Sequence, residues 1–342
     1  MILDGQSPQS IAAAAQALQR GELLGLPTET VYGLAADAGN DAAVAKIFEA
    51  KGRPANHPLI VHVSSAQGAQ RFVSHVPDFA QKLIDAFWPG PLTLILPRRP
   101  EVAAVAAGGQ NSVGLRCPSH PVAQAVLQSA EALGVFGVAA PSANLFGRVS
   151  PTTAAHVAGE FADDLLIIDG GACDVGIEST IVDCTRATPV LLRPGVLTPQ
   201  QLTDACGVTV ITPNAPDADA PRASGTLASH YAPRAKVQLM TTLELQHAMN
   251  AYSIANLKDT SSVTGMVAVW LRSPVQLPEG YAVKFNVQPM PQSANDCAHH
   301  LFAQLRTFDT QGVTQIWVET PPLTPEWDGV RDRLARAATP TR

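Results

Sequence analysis

Charge and aromatic rings are both scarce in this chain: charged residues make up 15% and aromatic residues 5% of its 342 positions. Apolar residues, at 46%, are plentiful enough to exclude a disordered chain. Long apolar runs are missing as well. None reaches the roughly 18–20 residues needed to span a bilayer, because the Ala-rich stretches that raise the apolar fraction are interrupted. The opening MILDGQSPQS has no basic segment ahead of an apolar one, so no secretory signal is expected and the cytoplasm is the expected compartment. The cysteines at 117, 173, 184, 206 and 297 form no C-x-x-C pair. Their odd count and wide spacing argue against a disulfide framework and against zinc, which leaves small buried hydrophobes. Neither G-x-x-x-x-G-K-[ST] nor G-x-G-x-x-G occurs, so any nucleotide must sit in a different phosphate cradle. Excess positive charge is absent too. The net charge is −6, with 12 Lys+Arg against 18 Asp+Glu up to residue 206 and 11 against 11 beyond it. Nucleic-acid binding by bulk charge is thereby excluded, and each cation that does exist is worth placing.

What is present alternates between strand-like and helix-like runs. SPQSIAAAAQALQRGE has a Ser-Pro start and a Gly stop and reads as a first helix. LLGLPTETVYGLAAD reads as a strand broken at Pro27, and DAAVAKIFEAKG as a short helix ending on Lys51. PLIVHV, LTLILP, SVGLRCP, GVFGVAAPSAN, DLLIIDGG, STIVDCT and PVLLRPG supply further short strands. Helices are expected at PDFAQKLIDAFWPG, HPVAQAVLQSAEALG and TTAAHVAGEF. This interspersion indicates an α/β domain on a mixed sheet over 1–210. Residues 211–236 are rich in Pro, Ala and Asp without an apolar period, and read as a linker. Over 237–342 the pattern restarts: strands KVQLMT, GMVAVWLR, YAVKFNVQ and TQIWVET, a helix from about 243, and a helix over 293–311. In the latter, Ala298, Leu301, Phe302, Leu305 and Phe308 share one face.

The chemistry-bearing residues cluster at strand ends. EAKGRPANHPLIVHV sets Lys51, Arg53, His57 and His62 around one strand, with Pro54 and Pro58 stiffening the approach. As a solvated helix end this needs no ligand; as a stiff loop at a strand edge it suits a polyanion such as triphosphate. In APSANLFGRVSPT, Ser150-Pro151 reads as the cap of a helix from 152, while Ser142, Asn144 and Ser150 also gather polar groups where open α/β sheets place ligands. GIESTIVD puts Ser179 at the mouth of a strand, and LLRPG ends another on Arg193. Arg116, inside SVGLRCP, needs either a partner or a ligand. In PTETVYGL, Thr28, Glu29 and Thr30 read simply as a strand terminus.

In this order PTETVYGL, KGRP with HPLIVHV, PGPLTLIL, VGLRCPSHP, APSANLFG and GIESTIVD resemble the YrdC-like domain. With SHYAP and the second domain, the chain resembles the long, two-domain threonylcarbamoyl-AMP synthases, closely over residues 10–235 and in outline beyond. The resemblance implies a twisted mixed sheet with flanking helices and a concave ligand face, a linker that closes over the site, and a small Rossmann-like α/β C-terminal domain. It implies condensation of L-threonine, bicarbonate or CO2 and ATP into threonylcarbamoyl-AMP and pyrophosphate, for modification of adenosine 37 in tRNAs reading codons that begin with A. A separate transferase complex takes the adenylate, and Mg²⁺ is expected on the ATP phosphates rather than on protein ligands. By this resemblance Lys51 and Arg53 are catalytic. ATP contacts fall to Arg53, His57, Ser112, Ser142, Asn144, Ser150, Arg193 and Tyr231. Threonine contacts fall to Thr30, His62, Arg116, Ala140 (through its backbone) and Ser179. The linker departs from the usual Ser-Pro-Gly, reading Ala223-Ser224-Gly225, but keeps His230-Tyr231. The acidic balance gives direct tRNA binding only weak support. Two other readings remain at this point: a non-catalytic RNA-binding or ribosome-maturation factor, which a basic stripe would favour, and a hydrogenase-maturation carbamoyl transferase, whose Cys pairs and acylphosphatase module are missing.

Overall fold

The computed structural model of the chain describes residues 1–161, 165–213, 220–226, 230–255, 266–276 and 285–339. Parts of the expected linker, at 214–219 and 227–229, and the start of the strand expected at YAVKFNVQ, at 281–284, lie outside the described residues. The chain divides into two compact units, one of Met1–Phe146 with Ser150–Thr226 and one of Gly147–Val149 with residues from 227 onward.

The first unit opens with β1 (Ile2–Asp4), α1 (Pro8–Gln19), β2 (Leu24–Leu26), β3 (Gly33–Asp37), α2 (Asp41–Lys51) and β4 (Ile60–His62). It continues through α3 (Ala66–Ala69), α4 (Asp78–Phe87), β5 (Leu92–Pro97), β6 (Ser112–Arg116), α5 (Pro121–Ala132) and β7 (Val138–Ala139). It closes with α6 (Ala154–Ala158), β8 (Leu166–Asp169), β9 (Thr180–Asp183), β10 (Val190–Arg193) and α7 (Pro199–Cys206). The described strands form one ten-stranded mixed sheet in the order β1-β8-β2-β3-β7-β4-β6-β5-β9-β10. Each face carries its own apolar core. Ala14, Ala15 and Leu18 of α1 pack with Val122, Val126 and Leu127 of α5, while α2, α4 and α7 bury Val44, Ile47, Leu83, Ile84 and Leu202 in the other.

The strand broken at Pro27 resolves into antiparallel β2 and β3. Between them Thr28 organises the turn: its Oγ1 accepts from the amides of Thr30 and Val31, each at 3.2 Å, and donates to the Val31 carbonyl at 2.6 Å. Such a side-chain cap fixes the backbone that presents Glu29 and Thr30. One expectation is corrected here. The helix after APSANLFGRVSPT starts at Ala154 and is capped by Thr153, whose side chain accepts from the His156 amide. Ser150 is no cap because its hydroxyl donates to Glu178 instead.

The second unit contains β11 (Lys236–Met240), α8 (Thr242–Ala255), β12 (Val267–Leu271), β13 (Phe285–Pro289), α9 (Ala294–Thr310), β14 (Gln315–Glu319) and α10 (Asp328–Ala338). Its four described strands are all parallel, in the order β11-β14-β12-β13. Leu245, Met249, Val269, Phe285 and Trp317 form a core on this sheet, and α9 buries the expected face of Ala298, Leu301, Phe302, Leu305 and Phe308. The α10 segment gave no clear signal in the sequence, its mixed run of Asp and Arg masking the period of its buried positions. All five cysteines are free and buried. Among the described residues no helix is long and apolar enough to cross a membrane.

Candidate functional site

Lys51 owes its burial to helix periodicity. It falls on the same stripe of α2 as Val44, Ile47 and Phe48, so the fold carries its ammonium inward rather than to solvent, and only 3% of the residue is exposed. Gly52 then ends the helix with φ at 61°, a conformation glycine adopts freely. The Lys51 Nζ donates to the Ser142 carbonyl at 2.6 Å and to the Asn144 carbonyl, joining the K-x-R loop to the S-x-N turn. Burial, and then the charge of Arg53, holds its pKa well below the usual lysine value. Asn144 turns its own amide onto the Leu145 carbonyl at 2.7 Å.

Arg53 is also buried. Its Nη2 donates to the Pro58 carbonyl at 2.9 Å and to Ser224 Oγ at 3.3 Å, and its guanidinium lies 5.6 Å from the centre of the Phe146 ring. His57 meets the same ring edge-on, with centres 5.6 Å apart. Burial, Arg53 and Arg222 lower the His57 pKa.

A β-bulge places Arg193. On β10, Leu191 pairs with Val182 and Arg193 with the next residue, Ile181, so one extra residue turns the strand end. Arg193 then wraps Ser179: Nε and Nη2 donate to the Ser179 carbonyl at 3.1 and 2.9 Å, and Nη2 to its Oγ at 3.2 Å. The Arg193 Nη1 donates to the Ser224 carbonyl at 2.9 Å. Ser224 thus links Arg53, Arg193 and, through the latter, Ser179. The segment is anchored by Arg222, whose amide donates to Gln110 Oε1 at 2.8 Å and whose Nη2 donates to the Gly108 carbonyl at 2.9 Å.

At the other end, Arg116 closes β6 beside His62, its register partner on β4. Its Nη1 donates to Thr30 Oγ1 at 2.7 Å, its Nε to the Gly90 carbonyl at 3.2 Å, and its Nη2 stands 2.7 Å from Glu29 Oε1. Burial raises the Glu29 pKa, but the charge and approach of Arg116 outweigh it and leave the carboxyl below its usual range. Burial and Arg116 push His62 down to about 3, so its ring is neutral. Ala140 donates its amide to the Ile60 carbonyl at 3.0 Å, and Ser179 Oγ pairs with Thr93 Oγ1 at 2.7 Å.

One candidate stands apart. Ser112 begins β6, roughly 13 Å along the strand from Arg116 at about 3.3 Å per residue, and among the described residues its hydroxyl bonds to no other candidate. Tyr231 belongs to the second unit. It is buried there at φ 60°, its ring 5.3 Å from Phe302 and 4.2 Å from His230, with Arg333 over it at 5.4 Å. Glu29, Glu178 and Ser224 make these contacts without a motif in the sequence to mark them. A buried arginine in a strand demands a counter-charge, which was the one available signal for Glu29. Nothing local marked the other two.

Lys51, Arg53, Arg193 and Arg116 are all less than a tenth exposed, and guanidinium forks suit phosphate and carboxylate. Among the described residues no three His, Cys, Asp or Glu side chains gather to hold a metal. The donor set fits a metal only if the ligand's own oxygens carry it.

A family model described as "Telomere recombination" matches residues 16–195, and one described as "Threonylcarbamoyl-AMP synthase, C-terminal domain" matches residues 197–339. The threonylcarbamoyl-AMP synthase of Pyrococcus abyssi is 37% identical over 313 residues, covering 90% of this chain and 88% of that protein. Its namesake from Bacillus subtilis is 36% identical over 343 residues, covering 98% and 94%. The crystal structure of P. abyssi Sua5 complexed with L-threonine superposes with a TM-score of 0.86 at 33% identity, covering 99% of this chain and 97% of that one.

Proposed function

The chain belongs to the threonylcarbamoyl-AMP synthase family, and from that premise we propose how its residues divide the reaction. It condenses L-threonine, bicarbonate or CO2 and ATP into threonylcarbamoyl-AMP and pyrophosphate, the adenylate serving N6-threonylcarbamoyl transfer to adenosine 37 of tRNA. The observation that carries this reading is similarity to synthases along nearly the whole chain, in both units. The same similarity favours it over an RNA-binding or maturation factor.

Threonine carbamate is already an anionic nucleophile, so its attack on the α-phosphorus needs no strong general base. The work is positioning two anions and neutralising the departing pyrophosphate. We assign the phosphates to Lys51 and Arg53, with Arg193, His57, Ser112, Ser142, Asn144 and Ser150 completing the ATP site, and on the family resemblance alone Tyr231 is assigned as a further ATP contact. Arg116 clamps the threonine carboxylate, and Thr30, His62, Ser179 and the Ala140 backbone hold the remaining polar atoms. Selection of threonine over valine then rests on site groups left unpaired by the wrong side chain, worth on the order of 10⁴-fold where a hydroxyl is demanded. Mg²⁺, carried on the ATP phosphates, supplies charge neutralisation when bound. In this assignment residues 1–210 form the catalytic domain, 211–236 the closing linker and 237–342 the small second domain. A tRNA-modifying transferase complex receives the product, the compartment is the cytoplasm, and direct tRNA contact is minor.

The deciding experiment is pyrophosphate release from MgATP by the purified chain. Release is expected only when threonine and bicarbonate are both present, and to fall at least about 100-fold in Lys51→Ala and Arg116→Ala, each of which loses a charge-assisted contact. Release that ignores threonine, or none at all, contradicts the reading.

A further inference from the structure

Four buried polar atoms at the amino-acid end of the site stand outside hydrogen-bond geometry among the described residues: both carboxylate oxygens of Glu29, Arg116 Nη2 and His62 Nδ1. The three residues are 4%, 3% and 3% exposed. They form one cluster, since Arg116 Nη2 and Glu29 Oε1 are 2.7 Å apart and His62 is the strand neighbour of Arg116. The amides of Glu29 and Ser119 attract the carboxylate without reaching bonding geometry. Nearly all buried polar groups in folded proteins are hydrogen-bonded, and an unmade bond is costly. Glu29 Oε1 and Arg116 Nη2 answer each other as an ion pair; what is left over, Glu29 Oε2, the second N–H of Arg116 Nη2 and His62 Nδ1, describes a ligand by its complement.

That complement can be read atom by atom. Arg116 has Nε and Nη1 committed to Gly90 and Thr30 and Nη2 ion-paired with Glu29 Oε1, which leaves the second N–H of Nη2 for an anionic acceptor. Glu29, with Oε1 on Arg116, keeps Oε2 as an acceptor and calls for a donor, best a cationic one. Because the guanidinium and the carboxylate cancel and His62 is neutral, the cluster has no net charge. A lone carboxylate would be drawn by Arg116 and repelled by Glu29, and a lone amine the reverse. A ligand carrying both charges a bond or two apart satisfies both.

We propose that Glu29 is a specificity-determining residue of the amino-acid site: it accepts a hydrogen bond from the α-ammonium of the substrate whose α-carboxylate lies on Arg116, so the pocket admits threonine as the zwitterion. This rests on the function proposed above and adds a residue to it. Held ionised by Arg116, Glu29 holds the nitrogen and takes no proton from it.

Calorimetry on the full chain without ATP tests this with L-threonine, (R)-3-hydroxybutyrate, which lacks the ammonium, and L-threoninamide, which lacks the carboxylate. The wild type is expected to bind threonine about 10- to 150-fold more tightly than either analogue, the range for a bond to a charged group. In Glu29→Gln, threonine is expected to weaken by about 10-fold or more while (R)-3-hydroxybutyrate tightens, because the repelling charge is gone. A merely structural Glu29 would weaken both, and that result, or no change in either, overturns the proposal. Should Glu29→Gln fail to fold, the wild-type series decides alone, and (R)-3-hydroxybutyrate binding as tightly as threonine overturns it. If threonine does not bind the wild type, this proposal falls; continued pyrophosphate release would then leave the synthase reading standing, and its absence would remove both.

Discussion

His62 stands on β4 between β6 and β7, and its neutral ring couples the amino-acid site to the acid stability of the fold. Its pKa is about 3 in the folded chain against 6.5 as a free side chain. As pH falls below about 6.5 the unfolded chain takes up a proton that the folded one refuses. The stability contributed by the neutral ring is therefore complete above that pH and drains away down to about pH 3. Replacing the ring by an amide, His62→Gln, is expected to flatten this acid limb. Urea midpoints at pH 7, 6, 5 and 4 check it, and an unchanged limb in the variant would show that other groups set the acid stability. At this scale the sequence showed which residues bear charge but not which of them meet. Arg116 was legible as a residue in need of a partner; that the partner is Glu29, 87 positions away, depends on Thr28 folding the β2–β3 turn inward.

Secondary elements near the site are legible to the extent that their signals are local. The α2 helix shows its Asn40 cap, its stripe of Val44, Ile47 and Phe48, and its Gly52 stop, all readable within a dozen residues. The helix after the S-x-N turn misled, since two hydroxyl residues compete for the cap and the loser, Ser150, is taken up by Glu178, which is distant in sequence. Gly52 allows an element-scale prediction. A Cβ built there meets nothing within 4 Å, so Gly52→Ala carries only the backbone penalty of its left-handed conformation, about 1–2 kcal/mol. Denaturant unfolding measures that loss, and Gly52→Asn, which tolerates the conformation better, is expected to recover part of it. Because Gly52 separates Lys51 from Arg53, the alanine variant is also expected to raise the KM for ATP. A drop in stability with an unchanged KM would show that the two cations keep their places independently of the turn.

On the scale of the whole molecule, alternating patterns in the sequence announce an α/β chain, and the family resemblance supplies the rest of the architecture. The strand order of the large sheet was not legible, because neighbours such as β1 and β8 lie more than 160 residues apart and no local rule selects such a pairing. The five buried cysteines give the chain an intrinsic clock. Burial raises the thiol pKa at Cys117, Cys173 and Cys184, and brings Cys297 to about 12, so little thiolate exists at neutral pH. Labelling by a maleimide must therefore wait for each region to open. Four of these thiols belong to the first unit and Cys297 to the second. Mass spectrometry of partly labelled chains separates the two: a lone adduct at Cys297 times the second unit, and adducts at the other four time the first. Comparing the timings with and without ATP and threonine gives the tightening of each unit on its substrates, with no substitution made in the protein.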